Sequence, residues 1–533
     1  MPCSTIPSSP TGPLCTRASP LTGSLARPAR TAAVILSLLF PSSPRTTQET
    51  PVPTTSIPAA KPRASVVRTL LGTGAGNAVE WFDWAIYATF ASFISTQLFS
   101  KSDPSSAFLS TLAIFAVGFV ARPFGGFLFG WIGDRVGRKA SMTLCVGLAS
   151  LGSLAIGLTP TYESIGAGAS LMLLIARLVQ GLAHGGELPS AQTYLSEMAP
   201  AARRGYWASL IYVSGTVGIL FGTLLGAVLS TALTDPQMQV FGWRIPFLLG
   251  ALFGLVALVM RYRMEESEVY TTEKKAAVSG TVEPVGADAA DTAPSGSTST
   301  GGLLADLGRH WREALQVIGL TVGLTVTYYV WGVSTPAYAI NVLGIDPAGA
   351  LWAGVGANVV FIVALPLWGR LSDTVGRRPV LLASTLGSAL VFFPATWFVR
   401  DAAWQLGLAM AAVLVFIAGS AAIMPAVYSE LFPTSVRTLG IAVPYALCVA
   451  AFGGSAAYLQ AGFSTWFGEN GAVLFGVYTV LLLIVSAVTT WGLRESRGAD
   501  LHAEGRRQDR SAHPSGTTGG KSAVILSVRP DQD

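Results

Sequence analysis

From Leu70 onward, long apolar segments alternate with short polar interruptions. Twelve segments run near 70–97, 106–132, 139–159, 168–192, 207–231, 242–262, 313–335, 346–370, 378–398, 403–427, 437–463 and 470–493. Each holds about 20 residues or more, enough for a helix to cross a hydrocarbon core of about 30 Å. None alternates with a period of two. Helices, which satisfy their own backbone polar groups in lipid, are therefore predicted over a barrel. A charged, then Gly/Ser/Thr/Ala-rich stretch separates the sixth segment from the seventh. The expected fold is an all-α integral membrane protein of twelve transmembrane helices in two six-helix halves. Its expected parts are a disordered extension 1–65, a bundle 66–262, a cytoplasmic linker 263–311, a bundle 312–495 and a disordered cytoplasmic tail 496–533.

Composition agrees with this pattern. Hydrophobic residues make up 51% of the chain and charged residues 12%, about half the share a soluble surface requires. The pI near 9.0 does not point to nucleic acid, because the basic residues lie between apolar segments and not on one face of a soluble domain. With the N-terminus in the cytoplasm, 29 of the 34 Lys and Arg residues fall on the cytoplasmic side and only Lys101, Arg244 and Arg400 outside. The asymmetry predicts a multi-pass cell-membrane protein with both termini inside. The apolar run Ala32–Phe40 is too short to span. It reads as sequence upstream of the true start in preference to a cleaved signal, since a polytopic chain carries its own first helix. The four cysteines have no metal-ligand spacing and imply no disulfide framework. No metal and no cofactor are expected.

Two short blocks recur along the chain. Gly130-Trp-Ile-Gly-Asp134-Arg135-Val-Gly137-Arg138-Lys139 matches Gly369-Arg-Leu-Ser-Asp373-Thr-Val-Gly376-Arg377-Arg378, 239 residues later. Glu197, Pro200 and Arg204 match Glu430, Pro433 and Arg437, 233 residues later. Two independent blocks at nearly one displacement indicate a duplicated six-helix unit, an architecture of transporters with a midplane site.

These loops resemble the signature of the major facilitator superfamily, and Arg177-x-x-Gln180-Gly181 resembles its second motif. More narrowly, several blocks are similar to the metabolite:proton symporter family, which includes permeases for alpha-ketoglutarate, citrate, shikimate and proline/betaine. They are Gly76-Asn77-x-x-Glu80-Trp81-Phe82-Asp83, Ala121-Arg122-Pro123-Phe124-Gly125-Gly126, Gly185-Gly186-Glu187, Gly242-Trp243-Arg244-Ile245-Pro246-Phe247, Glu430-Leu-Phe-Pro433 and Phe452-Gly453-Gly454. The resemblance covers about 68–495. It departs from the family pattern at Leu188, Pro189 and Ser190, and at Ala457.

Ionisable residues crowd the first half. Asn77, Glu80, Asp83 and Tyr87 fall on one stripe of the first helix. An acid at mid-membrane costs about 2.5–3.5 kcal/mol on insertion scales, so these two call for a partner or a proton. Arg122, at a similar depth on the second segment, is the expected partner. A carboxylate that alternates between a cation and burial alone can carry a proton; a static pair locking two helices is the other reading. Arg177, Gln180, His184 and Glu187 share a face of the fourth segment, with Pro189 placed to kink it. Arg177 is a fixed cation able to grip a carboxylate in a bidentate manner, or to support coupling without touching solute. His184 can relay a proton or act as an interior hydrogen-bonded histidine. Asp83, Glu80, Arg122, His184 and Glu187 are thus proton-coupling candidates. Arg177, Gln180, Asn77, Tyr87, Tyr328, Tyr329, Trp331 and Tyr445 are substrate candidates, the aromatics serving equally as packing. Asp134, Arg135, Arg138, Glu197, Arg204, Asp373, Arg377, Glu430 and Arg437 are gating candidates whose ion pairs close one end.

The expected function is proton-coupled symport of a small organic acid, a dicarboxylate or oxoacid such as alpha-ketoglutarate, or a related metabolite, by alternating access. The expected partners are the solute, protons and the bilayer, with no nucleic acid, and the expected state is monomeric. A same-fold facilitator or exporter of hydrophobic compounds is the alternative, and it has no need of the polar stripe. An integral-membrane enzyme or a receptor is a further class. The chain lacks a metal-ligand motif, nucleophile elbow, phosphate loop or sizeable soluble domain to support either.

Overall fold

The computed structural model describes residues 63–136, 138–185, 196, 199–262, 308–433 and 436–499. The expected extension up to residue 62, most of the linker and the tail from residue 500 lie outside the described residues, as do Glu187, Pro189 and Glu197. In the first half α1 (Arg63–Thr89, resuming as Ala91–Leu98) is followed by α2 (Pro104–Val136), α3 (Arg138–Leu158), α4 (Ala167–Ala183), α5 (Arg204–Ala232) and α6 (Ile245–Tyr262). The second half repeats this order. It comprises α7 (Trp311–Tyr328, with a π-helical turn Tyr329–Ser334 and then Thr335–Asn341), α8 (Pro347–Val375), α9 (Arg377–Phe398) and α10 (Ala403–Leu431). It ends with α11 (Arg437–Cys448, a π-helical turn Val449–Gly453, then Gly454–Phe467) and α12 (Gly471–Gly492). Among the described residues nine stretches are long and apolar enough to span a membrane, and the last of them, Arg437–Gly492, holds both α11 and α12. The 17-residue α4 and the buried α1 complete the twelve.

Helix ends follow local chemistry. Gly376 separates α8 from α9 at φ 109°, a conformation that a side chain would strain. The Gly-Trp-Arg-Ile-Pro-Phe block starts α6, where Arg244 donates to the carbonyls of Gly157 and Thr159 at 2.9 and 2.6 Å. It thereby ties α6 to the end of α3.

Small residues let α2 and α4 touch through their backbones. A Cβ on Gly181 would stand 2.1 Å from the Gly118 carbonyl oxygen, and one on Gly125 1.9 Å from that of Leu182. Association in lipid relies on such close packing, because lipid is as apolar as the helix faces. Gly181→Val is expected to push the helices apart, at an overpacking cost of about 1–3 kcal/mol. A lowered melting temperature in detergent, with ligand protection lost, is the expected measurement. An unchanged melting curve would show that this contact is dispensable.

The halves meet at both ends. At the end opposite the repeated loops, the Asn341 amide donates to Ser92 and the Trp352 indole donates to Thr231 at 3.2 Å. Phe108 and Leu112 of α2 pack there with Ala337, Ala457 and Ala461. This end is held by neutral hydrogen bonds and apolar contact. The end bearing the repeated loops is held by charge.

Candidate functional site

A buried polar cluster joins α1, α3 and α4 in the first half. Asp83 accepts hydrogen bonds from Ser153 Oγ and, at 2.8 Å, from Gln180 Nε2. Gln180 Nε2 also lies 2.8 Å from Ser153 Oγ, and its Oε1 accepts from Arg177 Nη1 at 2.9 Å. The chain Asp83–Gln180–Arg177 is thus continuous. His184 stands over both acids, with Nδ1 3.8 Å from Glu80 Oε1 and Nε2 3.5 Å from Asp83 Oδ2. Glu80, Asp83, Arg177 and Gln180 are all buried.

Arg177 is fully enclosed, and its guanidinium carbon lies 4.1 Å from the Trp84 ring centroid, 4.2 Å from Tyr87 and 5.4 Å from Phe115. Aromatic faces stabilise a desolvated cation. Tyr87 itself donates its hydroxyl to the Thr111 carbonyl at 2.9 Å, so its ring, not its hydroxyl, faces the arginine.

Arg122 departs from the expectation that it pairs with the first-helix acids. Among the described residues it makes no ion pair with Glu80 or Asp83. Its guanidinium rests on Trp84 at 4.0 Å and Phe119 at 4.7 Å. The physical reason is that the aromatic faces of Trp84 and Phe119 take the cation in place of a carboxylate. The side chain leaves the backbone toward the indole adjacent to Asp83 in sequence. The basic side chain that does face both acids is His184.

The other predicted substrate residues lie elsewhere. Asn77 donates to the Ile211 carbonyl at 2.9 Å and to Ser214 Oγ at 2.8 Å, and accepts from Trp81 Nε1 at 3.1 Å. It thereby fastens α1 to α5. Tyr329 stacks on Trp81 with centroids 6.2 Å apart and meets Phe119 edge-on at 5.1 Å. Tyr328 contacts Trp81 and Tyr212, Trp331 contacts Phe392, and Tyr445 contacts Tyr428. Tyr328 and Tyr329 are therefore brought against the first half, and Tyr445 reaches it through a side-chain hydrogen bond with Tyr212 of α5, whereas Trp331 packs within the second half.

Several of the residues expected to form a gate converge across the halves. Asp373 of α8 accepts from the backbone N–H groups of Gly205 and Tyr206 at 2.8 and 2.9 Å. A second-half carboxylate thus caps the open N-terminus of first-half α5. Glu430 accepts from Arg204 Nη1 at 2.8 Å and from Arg377 Nη2 at 3.4 Å, while Arg377 Nη1 reaches Asp373 at 2.8 Å. The buried Arg437 donates to the Phe432 carbonyl at 3.2 Å. The side chains of Asp134, Arg135 and Arg138 lie outside what the structure describes.

A segment that sequence reasoning missed lies across this gate. Glu495, just past α12, accepts from the backbone N–H groups of Arg377 and Arg378 at 2.7 and 3.1 Å. Ser496 donates to Glu430 at 2.5 Å, and Arg204 donates to the Ala499 carbonyl at 3.0 Å. Partial burial pushes the Glu495 carboxyl up, but the Arg377, Arg378 and Arg497 amides together with the Arg377 charge hold it below the usual carboxylate range.

A buried polar cluster of ionisable residues in one half and an ion-pair network joining two related halves are features that a transporter requires. The model of the sugar (and other) transporter family matches residues 70–504. The chain belongs to this family, within the major facilitator superfamily. The transporter is 34% identical to the alpha-ketoglutarate permease of Escherichia coli (strain K12) over 436 residues, 81% of this chain and 95% of the relative. It is 28% identical to the proline/betaine transporter of Salmonella typhimurium over 433 residues, 80% of this chain and 83% of that one. The solved xylose transporter XylE from E. coli superposes with a TM-score of 0.60 at 18% identity, over 82% of this chain and all of that one, a likeness of fold. This chain is a multi-pass membrane transporter of small metabolites and not an enzyme. Two members of the transporter's site had no sequence signal of their own. Ser153 sits in an unremarkable Gly/Ala/Leu run, and Trp84 reads as one more aromatic.

Proposed function

We propose that this chain is a proton-coupled symporter that carries a small organic acid across the cell membrane by alternating access. In this reading both termini are cytoplasmic, the bundles 66–262 and 312–495 rock against one another, and the monomer is the working unit. One observation carries the solute class. Arg177 is fully buried with Nη1 committed to Gln180, while its Nε and Nη2, the parallel pair of donors suited to a carboxylate, have no partner among the described residues. A desolvated cation with an open bidentate edge favours an anion that arrives from outside.

The coupling reading rests on the chain from Arg177 through Gln180 to Asp83. Protonation of Asp83 removes the negative charge that Gln180 Nε2 and Ser153 serve. The field of Arg177 is then left to the solute carboxylate. A monoanion with one bound proton, or a dianion with two, leaves the charge of the site unchanged, which lowers the cost of moving the loaded site through a dry centre. His184, within 4 Å of both acids, passes the proton between Asp83 and Glu80.

The alpha-ketoglutarate permease relative makes a dicarboxylate or oxoacid the first solute to test. Proteoliposomes with an acid exterior are expected to accumulate alpha-ketoglutarate above the outside concentration, and a protonophore is expected to abolish the accumulation. Uptake indifferent to the gradient overturns the symport reading. Failure to take up any carboxylate overturns the solute class.

A further inference from the structure

Four buried hydrogen-bond donors without partners among the described residues belong to three neighbouring side chains: Arg177 Nε and Nη2, Trp84 Nε1 and Arg122 Nε. Buried polar groups are paired in roughly nine cases of ten, so the group has a common cause. None of these atoms can accept a hydrogen bond: an indole N–H only donates, and a guanidinium stays charged. The deficit is therefore one of acceptors, in a place that already holds two cations. A single carboxylate matches the Arg177 edge and leaves the Trp84 and Arg122 donors unmet.

Both guanidiniums rest on the same indole, 4.0 and 4.1 Å from the Trp84 ring. That shared ring keeps their central carbons within about 8 Å of one another. The spacing is also fixed by the backbone. Arg122 lies on α2 and Arg177 on α4, and these helices are pressed together at Gly118–Gly181, Gly125–Leu182 and Arg122–Gly185. Main-chain contact thus sets the spacing of the two arginine backbones, and the shared indole holds their guanidiniums near one another. Among the described residues Arg122 makes no ion pair with Glu80 or Asp83, and its Nε has no hydrogen-bond acceptor.

We infer that Arg177, Trp84 and Arg122 form a two-ended anion site matched to a short dicarboxylate, Arg177 taking one carboxylate and Arg122 the other, with the Trp84 N–H meeting an oxygen between them. This deepens the organic-acid reading and rests on it. It moves Arg122 from proton coupling to solute recognition. A four- or five-carbon diacid, with carboxyl carbons about 4–5 Å apart, reaches both arginines. A monoacid leaves Arg122 unserved, and a longer diacid must fold back on itself, at a cost in conformational freedom, to present both carboxylates across so short a span.

The test is equilibrium binding to the full chain in detergent at fixed pH, using pentanoate, butanedioate, pentanedioate and heptanedioate. Wild type is expected to bind butanedioate or pentanedioate at least about ten-fold more tightly than pentanoate or heptanedioate, the gain of one additional charged hydrogen-bonded pair. Arg122→Gln is expected to remove that preference by weakening the short diacids about ten-fold while leaving pentanoate unchanged. Trp84→Phe, which keeps the aromatic face and removes only the N–H, is expected to weaken the diacids less. It also serves if Arg122→Gln does not fold. Equal binding of monoacid and diacid by wild type overturns the inference while leaving the organic-acid reading intact. So does an Arg122→Gln protein that loses both acids by the same factor. If wild type binds none of the four acids, the organic-acid reading itself falls.

Discussion

Asp83→Asn is expected to abolish accumulation of solute against its gradient, with a loss of about 100-fold or more in gradient-driven uptake, while exchange of labelled for unlabelled solute continues. The reasoning starts from shape. Asparagine is nearly isosteric: its oxygen can keep the bond from Gln180 Nε2, while its NH2 group takes the place of the other carboxylate oxygen and donates to Ser153 Oγ, a hydroxyl able to accept. The helix contacts and the bidentate edge of Arg177 are therefore retained, and solute still binds. What asparagine cannot do is gain and lose a proton. Loading and unloading then lose their dependence on the proton gradient, and only the exchange half of the cycle remains. The measurement is paired: uptake into proteoliposomes with acid outside, and counterflow with equal pH on both sides. A variant that accumulates solute as wild type does removes Asp83 from the coupling path. One that loses counterflow as well places Asp83 in the fold or in solute binding.

Glu430→Gln is expected to open the end that carries the repeated loops. Glu430 is fully buried and receives Arg204 of the first half and Arg377 of the second, themselves only 4% and 2% exposed. Removing its charge leaves two buried cations facing each other with Asp373 as their remaining acid. Breaking a buried pair in this way costs about 3–5 kcal/mol, enough to shift a two-state gate by a factor of about 100 or more. The Arg204 pair forms only when the halves meet, so its loss falls on the closed arrangement, whereas the Arg377 pair lies within the second half. Nitroxides at the exposed positions 203 and 370 flank this contact. Their distance distribution, measured by electron double resonance, is expected to move to longer values in the variant. A distribution unchanged from wild type would falsify the view that this network holds the gate shut. The Ser496 bond to Glu430 and the Arg204 bond to the Ala499 carbonyl place the post-α12 segment on the same closed arrangement.

Much of this was legible in the sequence for a simple reason. A hydrocarbon solvent requires long apolar helices, and it makes every ionisable residue inside them conspicuous. Glu80, Asp83, Arg177 and Gln180 could be singled out because little else in those segments is polar, and the structure brings them into one cluster. The repeated loops were visible as text, and Asp373, Arg377, Glu430 and Arg204 do meet. Pairing was less legible. Depth along the helices allowed Arg122 to reach the first-helix acids, yet depth says nothing about which way a side chain turns. Asn77 lay on the same stripe as Asp83 but is occupied with α5. The stripe of a helix names a direction, not a neighbour.

What the sequence determined by itself is the solvent, the helix count, the duplicated halves and the list of charged residues that must be accounted for. All of these follow from transfer energies and periodicity, which are local properties of the chain. The tertiary structure decided which charges share a site. Backbone contact through Gly125, Gly181 and Gly185 sets α2 against α4 so closely that Arg122 and Arg177 rest on one indole. In the same way Asp373 finds its partners on α5, in the other half of the chain. Those pairings depend on interhelical distances of a few ångströms between residues far apart in sequence, and no local rule carries that information.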